Sequence, residues 1–285
     1  MPDLAYVNGW VGPLRDARVP ILDRGFLFGD GVYEVMRFYG GRAFELDAHL
    51  RRLEHSMQGL GLRPPASRRR VERLITRLVD QSGHRNARVY VQVTRGVARR
   101  QHVFPRRIKP SLVMFVEKAP PAGTSRGPLT TITLEDQRWK RCHLKALVLL
   151  PNVLARQAAH EAGADEALLM GPGGRVREGS SSNVFIVQGR TLRTHPLGLE
   201  ILPGVSRQVV LDLARAEGMR VHEKAFRLPT LLAADEVLLS STTLEIASVV
   251  RVDARRIANG RPGAVGRALA KRFHNRVLAL LDGAT

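Results

Sequence analysis

The chain has 285 residues, 44% of them hydrophobic, enough for one large or two medium domains with a substantial core. It carries 45 basic against 26 acidic residues, a net charge of +19, and has no apolar run of about 18 residues that would form a transmembrane helix. The single cysteine, Cys142, excludes an intramolecular disulfide and a multi-cysteine metal site; with no basic and apolar signal regions at the N-terminus, a cytoplasmic protein is expected.

The charge invites a nucleic-acid reading, which the pattern weakens. Arginines are spread along the chain in short clusters such as Arg68-Arg69-Arg70 and Arg255-Arg256. Aromatic content of 5% leaves few stacking platforms, and no helix-turn-helix, RNP or zinc-finger spacing is present. No specific nucleic-acid partner is expected.

Residues 4–19 predict a β-hairpin turning at Asn8-Gly9. Val32 to Phe38 predicts a strand, Gly40-Gly41 a turn, and Ala43 to Leu46 the partner strand. Asp47 is placed to cap a helix that Gly61 ends, and Ser67 to start a second, with Val71, Leu74, Ile75, Leu78 and Val79 on one face. Strands at 87–94 and 112–117 follow. The stretch 119–128, with three prolines and two glycines, resists helix and sheet. The expected division is a domain at 1–119, a linker at 120–128 and a larger domain at 129–285. Within the latter, strands are predicted at 129–135, 145–149, 166–170, 183–187, 191–194, 220–224 and 235–240, and helices near 151–162, 204–217 and 265–282. The mixture is an α+β fold without internal repeats.

Lysine is scarce: six of the basic residues, Lys109, Lys118, Lys140, Lys145, Lys224 and Lys271. Only Lys145 lies in an apolar stretch, His143 to Leu150, where it reads either as a chemically used amine or as a strand-end lysine reaching for water. Glu178, entering Gly179-Ser180-Ser181-Ser182-Asn183, reads by itself as a loop acid. Leu202-Pro203-Gly204-Val205-Ser206 opens an apolar-periodic helix whose free N–H groups could take an anion, as many unliganded helices could. Ser240-Ser241-Thr242-Thr243 offers hydroxyls for a second contact. Taken together, an amine, a carboxylate and anion donors match pyridoxal 5'-phosphate better than a dinucleotide or P-loop ligand, whose glycine spacings are absent.

The run Asp23-Arg24-Gly25-Phe26-Leu27-Phe28-Gly29-Asp30-Gly31-Val32-Tyr33-Glu34 resembles the N-terminal signature of fold-type IV pyridoxal-phosphate enzymes, and the likeness extends from Tyr6 to the final helix. It implies a two-domain fold and a homodimer. It also implies that Lys145 binds the cofactor aldehyde and that Glu178 holds the ring nitrogen protonated. Arg52 of His49-Leu50-Arg51-Arg52-Leu53 would bind phosphate, with Val205, Ser206, Ser241 and Thr242 adding contacts; Leu202 would pack on the ring. Thr94 to Pro105 resembles the D-amino-acid aminotransferase segment in which an Arg-x-His pair from the neighbouring subunit, here Arg100 and His102, binds the substrate carboxylate with a tyrosine, here Tyr33. Glu135 to Cys142 also resembles that branch.

Leu150 stands where branched-chain aminotransferases carry a tyrosine, and Lys145-Ala146-Leu147-Val148 departs from the Lys-His-x-Asn of aminodeoxychorismate lyase. Arg99 beside Arg100 is atypical. The implied reaction joins a D-amino acid and a 2-oxo acid. The alternatives are a branched-chain L-amino-acid aminotransferase, an R-selective amine transaminase, aminodeoxychorismate lyase, or a basic binding protein without catalysis.

Overall fold

A computed structural model describes residues 3–124 and 127–283; Ser125 and Arg126 of the expected linker lie outside the described residues. The chain divides into two compact units, one comprising Met1–Ala122, Leu144–Val148 and Leu280–Thr285, the other Gly123–His143 and Leu149–Ala279. The segment containing Lys145 therefore groups with the first unit, not with the 129–285 domain to which the sequence reading assigned it.

The first unit contains strands β1 (Leu4–Val7) and β2 (Trp10–Pro13), helix α1 (Arg24–Phe28), strands β3 (Gly31–Tyr39) and β4 (Arg42–Ala43), helices α2 (Leu46–Gly59) and α3 (Arg68–Ser82), and strands β5 (Ala87–Thr94) and β6 (Ser111–Lys118). Its antiparallel sheet runs β2-β1-β6-β5-β3-β4. Alternation decides its faces. Val89, Val91 and Val93 of β5 share a side with Val32 and Met36 of β3 and meet Val71, Ile75, Leu78 and Val79 of α3, the i, i+4, i+7, i+8 stripe of a one-sided helix. On the opposite parity Tyr90 stacks between Tyr33, with ring centroids 5.6 Å apart, and Phe115, at 4.8 Å. The partner strand expected over 43–46 is only the two residues of β4. Helix α2 begins behind Glu45, which takes a left-handed φ of 53°, so Asp47 sits in the first turn and pairs with Arg51 and Arg68 rather than capping.

The second unit contains β7 (Leu129–Glu135), α4 (Leu150–Glu161), β8 (Glu166–Gly171), β9 (Arg175–Gly179), β10 (Asn183–Gln188), β11 (Thr191–Thr194), α5 (Val205–Ala216), β12 (Arg220–Glu223), α6 (Leu228–Leu232), β13 (Glu236–Ser241), β14 (Glu245–Val252), β15 (Arg255–Arg256) and α7 (Ala264–Asp282). Its mixed sheet runs β12-β11-β10-β13-β14-β7-β8-β9, with β15 on β14. β10 and β13 are buried along nearly their whole length, as expected of central strands covered on both faces. The strand predicted at 145–149 does not form. That stretch makes a lone bridge from Ala146 to Val32, and α4 already starts at Leu150 with a proline in its first turn. Among the described residues, no helix is long and apolar enough to cross a membrane, and no cluster of three or more His, Cys, Asp or Glu could hold a metal ion.

Candidate active site

The start of β3 places an acid where the pleat demands an apolar residue. Glu34 shares the face of Val32 and Met36, is completely buried, and lies beneath α2. Arg52 answers it with a two-pronged grip, donating from Nε to Oε1 at 2.7 Å and from Nη2 to Oε2 at 2.9 Å, and His49 Nδ1 lies 2.8 Å from Oε2. Burial opposes the charge, but Arg52 and His49 outweigh it and hold the Glu34 carboxyl well below the usual range. Burial depresses the His49 pKa against the pull of Glu34, favouring the neutral ring. Arg52 is thereby fixed in position on α2 by a partner at the beginning of β3.

Lys145 meets the same two elements. Its backbone N–H donates to Ser56 Oγ of α2 at 3.0 Å, its carbonyl accepts from Tyr33 N at 3.0 Å, and its Nζ lies 4.1 Å from the centroid of the Tyr33 ring. The side chain is half-buried. Lys145, Tyr33 and Arg52 are thus assembled by the first residues of β3 and by successive turns of α2.

Arg100 and His102 lie together elsewhere in the first unit, on an exposed segment. Both rest against Phe28: the Arg100 guanidinium is 5.4 Å from the ring centroid, and the His102 ring is 5.5 Å away at a tilt of 45°.

In the second unit Glu178 is not a loop acid. It lies on β9 and is buried, receiving Arg138 Nη1 on Oε1 at 2.5 Å, Asn183 Nδ2 on Oε2 at 2.9 Å, and the Leu202 N–H on both oxygens at 3.1 Å. Burial pushes its carboxyl up to about 7 although Arg138 and Leu202 pull the other way. Arg138 is in turn held by Asp136, at 2.9 Å through Nε and 2.8 Å through Nη2. The serines after Glu178 serve a different acid: Ser180, Ser181 and Ser182 all donate hydroxyls to buried Glu166.

Asn183 links Glu178 to the next predicted segment. Its Nδ2 also donates to the Leu202 carbonyl at 3.0 Å, and its Oδ1 packs so tightly on Gly204 that a Cβ there would lie 2.0 Å from it. Gly204 precedes α5, whose N-terminus has no side-chain cap, so the first N–H groups, those of Val205 and Ser206 included, lack intrahelical partners. Asn183 is also the register partner of Ser240, whose buried Oγ makes no hydrogen bond among the described residues. Ser241 and Thr242 follow at the end of β13, where Ser241 Oγ accepts from Leu244 N at 3.2 Å.

A family model described as "Amino-transferase class IV" matches residues 31–252. The chain belongs to the class IV aminotransferases. It is 38% identical over 275 residues to a D-alanine aminotransferase of Bacillus licheniformis, covering 95% of this chain and 96% of that one. A D-alanine aminotransferase of Listeria monocytogenes is 40% identical over 281 residues, covering 94% and 93%. A branched-chain amino acid aminotransferase structure from Escherichia coli superposes with a TM-score of 0.90 at 22% identity, over 96% of this chain and 94% of that one, which shows the shared fold.

Class IV aminotransferases work with pyridoxal 5'-phosphate, and this chain is such an enzyme. Its residues fit the group. Lys145 offers a primary amine, Glu178 a buried carboxylate of the sign that stabilises a cationic ring nitrogen, and the uncapped α5 N-terminus with the orphaned Ser240 hydroxyl offers donors for a phosphate. Sequence reasoning did not single out Glu34, His49, Arg138 or Asn183. Glu34 carried a readable signal: an acid at core parity between Val32 and Met36 requires a buried cation. Arg138 and Asn183 carried none, because neither spacing nor pattern says which of many arginines and amides turns inward.

Proposed function

We propose that the enzyme transfers the amino group of a D-amino acid to a 2-oxo acid, with D-alanine and 2-oxoglutarate giving pyruvate and D-glutamate as the reference reaction. The observation that carries this reading is the likeness, at 38% and 40% identity over about 95% of the chain, to two D-alanine aminotransferases. The paired cationic and imidazole groups of Arg100 and His102 on Phe28 support it, since they suit a carboxylate.

In this reading Lys145 Nζ would hold the cofactor by its aldehyde. When bound, the cofactor supplies a protonated ring that draws electrons from the substrate α-carbon. Lys145 Nζ, as a free amine, would be the base that takes the proton from that carbon and the acid that gives it back. Glu178 keeps the ring nitrogen protonated, and Arg138 and Asn183 keep Glu178 in place. Arg52, Val205, Ser206, Ser241 and Thr242 would hold the phosphate, and Leu202 would pack against the ring. Arg100 and His102 of one subunit take the substrate carboxylate in the site of the other, beside Tyr33.

The working form is a homodimer. Its support is the number of large apolar side chains exposed on the segments around Arg100 and His102, Ile21 74%, Phe26 72%, Val103 76% and Phe104 57% exposed, which a partner surface would cover. The lone unpaired thiol of Cys142 suits the cytoplasm. The deciding experiment is the first half-reaction, followed by the disappearance of the bound cofactor's absorbance with D- and L-amino acids. Rapid bleaching with D-alanine and slow bleaching with L-leucine is expected. A preference for L-leucine would transfer the chain to the branched-chain alternative.

A further inference from the structure

Residues 98–110 form neither helix nor strand, yet the chemistry proposed for Arg100 and His102 requires them to be held in place. A buried ion cluster next to them provides the hold. Arg24, only 3% exposed, donates from Nη1 to the Gln101 carbonyl at 2.6 Å and from Nη2 to the His102 carbonyl at 3.3 Å. Its Nε is bound to Asp30 Oδ2 at 2.7 Å. Asp30 also receives Arg95 Nε, at 3.1 Å on Oδ1 and 2.8 Å on Oδ2. Arg95, 6% exposed, places its two terminal nitrogens on the carbonyls of Leu60 and Gly61, beyond the last turn of α2, at 2.9 and 3.0 Å.

The segment is tied to this cluster a second time. Phe104 lies over Arg95, with the guanidinium carbon 3.5 Å from the ring centroid, and 5.9 Å from that of Arg24. Arg24 also packs on Phe28, at 4.8 Å from its ring centroid, the same ring that Arg100 and His102 contact. The main chain of residues 101–102, the ring under Arg100 and His102, and the trailing Phe104 thus all refer to the same pair of buried guanidiniums. Two cations on one carboxylate also leave a net positive charge under the segment, which favours an anionic substrate group.

We propose that Arg24, Asp30 and Arg95 are positioning residues for substrate-carboxylate recognition: the clamp fixes Arg100 and His102 on the Phe28 platform and through them sets affinity for amino and oxo acids. The proposal rests on the carboxylate role of Arg100 and His102 given above. Planarity is essential to it. A lysine at position 24 keeps the charge but cannot bridge Asp30 and two carbonyls in one plane.

The test compares Arg24→Lys, Arg100→Ala and the double variant as holoenzymes. Arg24→Lys should raise the KM for D-alanine and 2-oxoglutarate roughly tenfold with kcat changed less than about threefold, the signature of a binding contact made in ground and transition state alike. Cofactor affinity should stay at the wild-type value. In the Arg100→Ala background the same change should raise KM clearly less than about tenfold, because only His102 is left to be positioned. Phe104→Leu, which loosens the anchor on Arg95, should raise KM by about threefold and serves if Arg24→Lys does not fold, with its assembly state checked against wild type by size-exclusion chromatography because Phe104 also belongs to the proposed dimer surface. An unchanged KM in folded Arg24→Lys, or an equal further rise on top of Arg100→Ala, overturns the clamp. An unchanged KM in Arg100→Ala instead overturns the carboxylate reading beneath it.

Discussion

Glu178 carries the heaviest electrostatic demand of the second unit, a buried carboxylate whose charge is disfavoured by desolvation and supported by Arg138, Asn183 and Leu202. Glu178→Gln keeps the shape but cannot stabilise a cation. Loss of about 3–4 kcal/mol of transition-state stabilisation would slow the half-reaction by roughly 10²–10³ while cofactor binding persists; single-turnover kinetics would show it. The same residue sets a pH dependence in the cofactor-free protein. Its folded pKa, about 7, is raised above the ordinary 4.5, so the folded state keeps a proton that the unfolded chain releases. Its contribution is therefore fully present below about pH 4.5, declines as pH rises through 7, and stays lost above, a difference on the order of a few kcal/mol. Thermal unfolding of cofactor-free Glu178→Gln should show the variant gaining on wild type between pH 5 and pH 8. Parallel curves would mean that Arg138 already compensates the charge. At Lys145, substitution by Ala should abolish turnover but leave a folded protein that binds the cofactor without a covalent link, measured by ultrafiltration and by the missing borohydride-sensitive band. Wild-type transamination in Lys145→Ala would remove it from the mechanism.

Among the secondary-structure elements, α5 is where the proposed phosphate site meets packing most directly. Its uncapped N-terminus is preceded by Gly204, which lets Asn183 Oδ1 approach the backbone. Gly204→Ala would force Asn183 off Glu178 or the helix start off its position. Cofactor affinity should fall about tenfold or more, with overpacking reducing stability by about 1–3 kcal/mol; fluorescence titration with pyridoxal 5'-phosphate checks it, and unaltered affinity would show the α5 start to be unused. The helices with a one-sided stripe, α3 and α5, were legible in the sequence because their 3.6-residue period is imposed by a single buried face. β14 was not legible. Its burial alternates weakly over Glu245–Val252, since both edges are paired and polar residues sit among the apolar ones. β9 was hidden for a related reason: Arg175-Val176-Arg177-Glu178-Gly179 looks like a turn until Asp136 and Glu200 neutralise its arginine. The apolar stretch around Lys145 misled in the other direction, because hydrophobicity alone does not supply a strand with neighbours.

The whole chain divides differently in space than in sequence. A linear reading sees the proline-rich stretch before Leu129 and places one boundary there, whereas the segment Leu144–Val148 returns to the first unit through hydrogen bonds to Gly31, Tyr33 and Ser56. Lys145 is consequently in the same unit as Arg52 and Arg100, and nothing periodic along the chain signals that return. This placement makes the proposed subunit assignment of Arg100 and His102 testable without a structure of the proposed dimer. If Arg100 and His102 serve the partner's site, then in a mixed dimer of Lys145→Ala and Arg100→Ala chains both lesions fall in one site and the other site is intact. Random pairing of equal amounts gives half mixed dimers, so about a quarter of wild-type sites should be regained when the assay is run at substrate well below the KM of Arg100→Ala, where both parents turn over slowly. Co-refolding of the two variants, followed by assay with D-alanine and 2-oxoglutarate, measures the recovery. If each chain instead uses its own Arg100, every site of the mixed dimer carries one lesion and mixing restores nothing.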